Sequence, residues 1–374
     1  MNINAVDLFC GVGGLTHGIQ RAGINVVAGF DIAKECQYSF EFNNDATFIY
    51  KDVKEIEDGE ITALYPNDTD IKILMGCAPC QPFSAYSHRY KDSENRKQKM
   101  DLLDYFGKQV ELVLPDIVSM ENVPQMQKDF VFHNFVQLLK DNGYSVDWKV
   151  VYAPEYGVPQ NRKRLLLLAS KLGEIKLQEP LYSKENFPTV KDAISHLRPI
   201  KAGEVDKKDF LHRSRKLSDL NLERIRSSKP GRTWKDWDQK LLPECYKKSS
   251  GSSYRSVYGR LEWDKPSSTI TTQFVGYGNG RFGHPEQDRA LSLREGAILQ
   301  TFPDDYQFVE KSEDVSFVKL AMQIGNAVPV KLGEVIGTSI IEHLEIGSGG
   351  NDKSVSKGEN ISIQNCKQFC YTSG

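Results

Sequence analysis

Asn4-Ala5-Val6-Asp7-Leu8-Phe9-Cys10-Gly11-Val12-Gly13-Gly14 sets an apolar run directly before a glycine-rich turn. Residues 4–10 read as a strand, and the periodic stretch 13–22 behind the turn reads as a helix. The unit then repeats. Further strands are predicted at 26–30, 47–50, 71–75, 116–120 and 164–169, with helices at 33–42, 101–113 and 130–140. Alternation at this spacing implies an α/β fold, a doubly wound and mostly parallel sheet with helices on both faces. Ligands of such a sheet gather beyond the carboxyl ends of its strands. Asp7, Asp31, Asp52, Cys80 and Glu121 all fall at or near those ends.

From about residue 171 the rhythm breaks. Prolines, charges and serines dominate to about residue 253, which predicts a smaller, irregular second domain at 172–285. A helical pattern resumes near Leu291, 330–344 is an apolar-periodic helix, and 286–346 is expected to return to the first domain, 1–171. The stretch 347–374 is small and polar and is expected to be a flexible tail. With 374 residues, 39% of them hydrophobic and 26% charged, the chain has the composition of an ordinary soluble protein with more than one domain. No apolar run reaches the length of a membrane span. Asp7 inside the first apolar segment, with no basic leader, predicts no signal peptide. Seven scattered cysteines, an odd number, argue for a reducing, cytoplasmic setting.

The net charge of −2 hides an asymmetry. Residues 201–260 are strongly basic, whereas 1–150 and 301–350 are acidic. Trp234, Trp237, Tyr246, Tyr254 and Tyr258 are interleaved with the basic residues, a pattern that predicts a face for a polyanion.

The glycine turn at Gly11–Gly13 would let a ligand lie against the backbone near a helix N-terminus. Asp31, about twenty residues on at the end of the second strand, is placed to accept from ribose hydroxyls, and Asp52 ends the third strand. Together these three features point to an adenosine-containing cofactor, without separating a nicotinamide dinucleotide from S-adenosylmethionine. Cys80 lies in Gly76-Cys77-Ala78-Pro79-Cys80-Gln81-Pro82-Phe83-Ser84, after a buried-looking strand and bracketed by prolines. A thiol presented at a strand end in this way reads as a nucleophile. Cys77 and Cys80 also form a Cys-x-x-Cys pair, but no second pair follows at zinc-site spacing, and no metal is expected. Glu121-Asn122-Val123 ends the next strand with a carboxyl suited to general acid work. In Gln160-Asn161-Arg162-Lys163-Arg164, strand alternation puts Arg162 and Arg164 on one face as twin donors.

These segments, with Gln323-Ile324-Gly325-Asn326-Ala327-Val328-Pro329 and the run Arg260-Leu261-Glu262-Trp263-Asp264-Lys265-Pro266-Ser267-Ser268-Thr269-Ile270, resemble in order the signature blocks of the DNA (cytosine-5)-methyltransferases of the restriction-modification type. The resemblance spans roughly residues 3–345. It implies S-adenosylmethionine as the cofactor, held by Phe9, Gly11, Gly13, Leu15, Asp31, Asp52 and Asn326. It implies double-stranded DNA as the partner, a monomeric enzyme, and a cognate restriction endonuclease acting on the same site. It implies that Cys80 adds to carbon 6 of an extruded cytosine, that Glu121 acts on ring nitrogen 3, and that Arg164, supported by Arg162, holds the base oxygen. Two positions depart from the family's habit: many relatives carry Glu where Asp31 stands and an aromatic where Leu15 stands.

On that reading 172–285 is a target-recognition domain. Residues 84–100, rich in basic side chains, are expected to be a loop that closes over the flipped base. Ser84, Arg89, Arg255, Arg260 and Arg281 are the expected DNA contacts. The nearest rival keeps the chemistry and replaces the substrate by tRNA, but the Cys-Phe-Thr segment usual in such relatives is absent from this chain. A nicotinamide-dependent oxidoreductase would leave the Cys80, Glu121 and Arg164 blocks unused, and a catalytically dead DNA-binding protein would not need them intact.

Overall fold

A computed structural model describes residues 1–79, 94–247, 256–310 and 316–348, with side chains from 102 onward in the helix that begins at Glu94 and to 346 in the helix that ends at Ser348. Cys80, Ser84, Arg89, Tyr254, Arg255 and the 349–374 part of the expected tail lie outside the described residues.

The first domain begins β1 (Ile3–Leu8), α1 (Gly14–Arg21), β2 (Asn25–Asp31), α2 (Gln37–Asn43), β3 (Thr47–Tyr50) and β4 (Ile71–Gly76). It continues α3 (Glu94–Val113), β5 (Ile117–Asn122), α4 (Phe130–Asp141), β6 (Ser145–Tyr152), β7 (Gln160–Asn161) and β8 (Lys163–Ser170). Seven strands form one sheet in the order β3-β2-β1-β4-β5-β8-β6. The first five are parallel, while β8 runs antiparallel to both β5 and β6. Two features differ from the sequence reading. β6 was not foreseen, and α3 begins at Glu94, so residues 94–100 are helical rather than loop.

Both faces of the sheet are covered, which explains why its strands are apolar without alternation. Leu165 and Leu167 join Val6, Leu74 and Val118 against α3 and α4. Leu166 and Leu168 point the other way, into a layer with Ile73, Met75, Leu15 and Ile19 of α1, and Leu332 and Ile336 of the last helix. The four-leucine run is thus split between two cores by the two-residue period of a strand.

The middle of the chain holds α5 (Val190–Ile194), α6 (Asp219–Ser227), α7 (Glu244–Lys247) and β9 (Ser267–Ser268), which pairs with β7. Its apolar centre contains Leu217, Ile225, Trp234, Trp237, Leu241 and Tyr277. Trp234 stacks on Tyr246 at 4.7 Å, and Trp237 meets Tyr258 edge-on at 5.6 Å. Trp234 and Trp237 are only 4% and 6% exposed, so these aromatics build a core rather than the expected polyanion face.

α8 (Leu293–Leu299), α9 (Phe317–Asn326) and α10 (Val330–Ser348) complete the fold. α8 opens with a capping box in which Ser292 and Glu295 satisfy each other's backbone N–H groups. α10 crosses α1 at backbone distance. A Cβ on Gly18 would lie 2.2 Å from the Val330 carbonyl oxygen, and one on Gly333 would lie 2.8 Å from that of Leu15. The last helix thus packs directly on the first helix of the sheet domain. No helix of the described residues is long and apolar enough to cross a membrane.

Candidate active site

The order of the sheet reverses at β1, whose neighbours are β2 and β4, and the crevice beyond these strand ends is where a doubly wound sheet takes its ligand. The chain leaves β1 through three left-handed residues: Phe9 at φ 63°, Gly11 at 52° and Gly13 at 86°. Gly13 is obligatory for a second reason, since a Cβ there would come within 2.5 Å of the Asn44 amide nitrogen. Gly13 also heads α1 without a side-chain cap, leaving early N–H groups of the helix for another acceptor.

Asp31 closes this turn from β2. Its Oδ2 accepts from the Gly11 N–H at 2.9 Å and its Oδ1 from the Ala33 N–H at 2.8 Å. Burial raises its pKa, an effect opposed by those backbone donors. A carboxylate has further lone pairs, so these bonds leave acceptor capacity for a ligand hydroxyl. Ile32 beside it is 64% exposed, an apolar surface at the lip that the sequence reading missed. The available signal was a large aliphatic directly after the acid that ends β2. Asp52 caps the short turn Val53–Glu55 by accepting from the Lys54 N–H at 3.0 Å. Leu15, expected on the pocket wall, is 3% exposed in the apolar layer between α1 and α10. Asn326 is exposed at the end of α9, and Ala327 and Val328 after it pack on Gly14.

The second half of the site lies where β4 and β5 end. Asn122 donates from its amide to the Ala78 carbonyl at 3.0 Å and accepts from the Val123 N–H at 2.9 Å. It thereby fixes the direction in which the chain departs toward Cys80, a role not anticipated from sequence. Glu121 is 7% exposed, and its Oε1 lies 2.6 Å from Arg164 Nε. Arg164 also donates to the Lys163 carbonyl at 2.8 Å. The antiparallel register of β5 and β8, with Asn122 opposite Leu165, brings this acid and this cation together across one sheet gap. Arg162 is 3% exposed and donates from Nη1 to the Ile270 carbonyl at 3.0 Å, tying β7–β8 to the late part of the 172–285 region.

Two further titratable groups lie close by, the part-buried Cys77 and the buried Asp7. Burial pushes the Cys77 thiol well up, reinforced by the charges of Glu121 and Asp7, so it stays protonated. Burial also pushes the Asp7 carboxyl up to about 7, although the Thr16 hydroxyl donates to its Oδ2 at 2.7 Å. Among the described residues no three His, Cys, Asp or Glu side chains converge as a metal site would require.

Of the expected DNA contacts, Arg260 and Arg281 lie among the described residues. Arg260 is 5% exposed. It donates to the carbonyls of Ile225, Ser228, His284 and Gln287 at 2.7–3.1 Å and pairs with Asp288. It clamps the second domain from inside. Arg281 is half-buried and donates to the Arg232 carbonyl at 2.8 Å, and desolvation lowers its pKa.

A doubly wound α/β sheet with an acid–guanidinium pair at adjacent strand ends, beside a glycine turn, defines a broad class of group-transfer proteins. The chain belongs to the C-5 cytosine-specific DNA methylase family, whose profile matches residues 3–342, and is a cytosine-5 DNA methyltransferase. It is 51% identical to the Type II methylase M.HgiDII of Herpetosiphon aurantiacus, over 91% of this chain and 95% of that one. It is 30% identical to the Type II methyltransferase M1.HphI of Haemophilus parahaemolyticus, over 91% and 87%. In fold it resembles a prophage-encoded DNA modification methyltransferase of E. coli at TM-score 0.69 and 23% identity, covering 92% of this chain and 99% of that one.

Proposed function

We propose that this chain transfers a methyl group from S-adenosylmethionine to carbon 5 of cytosine within one specific double-stranded DNA sequence, as the modification half of a Type II restriction-modification pair. The observation that carries the reading is the buried Glu121–Arg164 pair, 2.6 Å apart, next to the strand end from which the chain runs to Cys80. The names of the relatives support the restriction-modification setting.

The residues around Gly11 fit the proposed cofactor. The uncapped start of α1 suits its carboxylate, Asp31 retains acceptor capacity for ribose, and Ile32 offers a flat apolar surface for adenine. S-adenosylmethionine, when bound, supplies the methyl group.

The chain's own residues do the rest on the base. The sulfur of Cys80 bonds to carbon 6, and the carbon 5–carbon 6 double bond opens so that carbon 5 becomes nucleophilic. Glu121 acts on ring nitrogen 3 and stabilises the electron pair moved into the ring. Arg164 keeps Glu121 oriented and reaches the base oxygen, and Arg162 anchors the strand that carries it. After methylation, loss of the carbon 5 proton expels the Cys80 sulfur and restores the double bond.

Methylation-sensitive sequencing of DNA from cells expressing the chain tests the reaction. One fully methylated sequence is expected with the wild type and none with Cys80→Ala. Methylation retained in Cys80→Ala removes the covalent route, and its absence in the wild type removes the proposal.

A further inference from the structure

Two glutamines without an assigned part in the chemistry sit fully buried between the halves of the site. Gln160 Oε1 accepts from the Ile270 N–H at 3.0 Å, and its amide nitrogen donates to the Leu299 carbonyl at 2.9 Å and to Gln300 Oε1 at 2.6 Å. Gln300 in turn donates to the carbonyls of Ile324 and Ala327 at 2.8 and 3.0 Å. Both side chains are 0% exposed. Gln160 thus meets a segment in the late part of the 172–285 region, and it is two residues from Arg162. Gln300 holds the carbonyls of Ile324 and Ala327, which flank Gly325 and Asn326 at the α9 terminus.

Segment 266–272 is gripped from both sides. β9 within it pairs with β7, and the Arg162 guanidinium holds the Ile270 carbonyl. Gly325 presses on its far end, where an added Cβ would lie 2.4 Å from the Thr271 carbonyl carbon. A shift of α9 at the cofactor side therefore reaches Ile270 and Arg162 through side chains with no slack, because every donor and acceptor of the two amides that faces the relay is taken.

We infer that Gln160 and Gln300 are positioning residues that couple occupation of the cofactor pocket to the register of segment 266–272, and hence to the catalytic arginines and the recognition domain. The inference rests on the reading of the Phe9–Gly13 crevice as the cofactor site. It differs from a purely structural role in one respect: it requires transmission.

Amide hydrogen exchange on the full-length chain measures transmission without DNA, using S-adenosylhomocysteine as the probe. Saturating probe is expected to slow exchange in the 266–272 peptide of the wild type by at least about fivefold, the low end of common coupling factors. Gln300→Met, which keeps volume and removes both donors and the acceptor, is expected to bind the probe within about twofold of the wild type and to lose the slowing. Slowing preserved in Gln300→Met overturns the relay. If that variant does not fold, the wild type decides: probe binding without slowing at 266–272 overturns the relay alone, whereas slowing at 266–272 upholds it. Absence of probe binding to the wild type would remove the cofactor reading and the relay with it.

Discussion

Replacing Arg260 by methionine separates two meanings of a basic residue. In the structure its guanidinium satisfies the carbonyls of Ile225, Ser228, His284 and Gln287 and pairs with Asp288. Methionine fills much of the volume but leaves the Ser228 and His284 carbonyls without this donor, whereas Ile225 and Gln287 still accept from the N–H groups of Ser228 and Arg289. Each stranded buried carbonyl costs about 1–3 kcal/mol, but relaxation and water entry make such costs far from additive. Asp288 is 41% exposed and rehydrates easily. The net loss for Arg260→Met is therefore expected near about 3–5 kcal/mol, as for a broken buried ion pair. At roughly 2–4 °C per kcal/mol, that lowers the melting transition of the recognition region by roughly 6–20 °C. The assay is thermal unfolding followed by tryptophan fluorescence, since Trp234 and Trp237 lie in the core that Arg260 braces, with binding of S-adenosylhomocysteine measured in parallel. Cofactor binding should survive while the fluorescence transition moves down. Unchanged unfolding together with weakened DNA binding and a smaller salt dependence would refute the argument and place the guanidinium on phosphate.

Stability should fall as pH drops from about 6.5 toward 4. Burial lowers the His284 pKa to about 4, so the unfolded state takes up its proton first and the neutral form's contribution is lost on the way down. His284→Gln should flatten that part of a melting-temperature profile, and an unchanged slope would dismiss His284 as its source. Asp31→Asn supplies one acceptor where two backbone N–H groups are now bound, so S-adenosylhomocysteine affinity measured by calorimetry should fall roughly 10-fold to 100-fold, a cost of about 1–3 kcal/mol; equal affinity would detach Asp31 from the pocket. Gly325→Ala forces a methyl group onto the backbone of Thr271 and Thr272 and should cost about 1–3 kcal/mol in urea unfolding, whereas a neutral result would deny the tight contact.

Much of the sheet was legible because β1, β2, β4 and β5 are buried on both faces and announce themselves as largely apolar runs, three of which carry an acid at or near their ends. β6 was not, because it is an edge strand with one neighbour, and Asp147 and Lys149 interrupt its apolar residues. The reversed direction of β8 leaves no local mark at all; it follows from the short return through β7. In the site, the residues proposed for the chemistry sit in compact stretches of sequence. Their supports do not. Gln300 looks like any helix-end glutamine until Gln160, Ile324 and Ala327 are brought to it from elsewhere in the chain. The burial of Arg260 and the two tryptophans was hidden for the same reason: a basic, aromatic stretch suggests a polyanion face, but the carbonyls and rings that enclose these side chains come from distant positions.

The crossing of α1 and α10 bears on how the protein is made. α1 has eight residues, too few to persist alone in water, and its partner surface around Gly333 is synthesised some three hundred positions later. At ordinary translation speeds the ribosome takes on the order of tens of seconds to supply that surface. Throughout the interval Leu15 and Ile19 have no helix to cover them, so the nascent enzyme cannot finish the ground beneath its glycine turn until elongation is nearly complete.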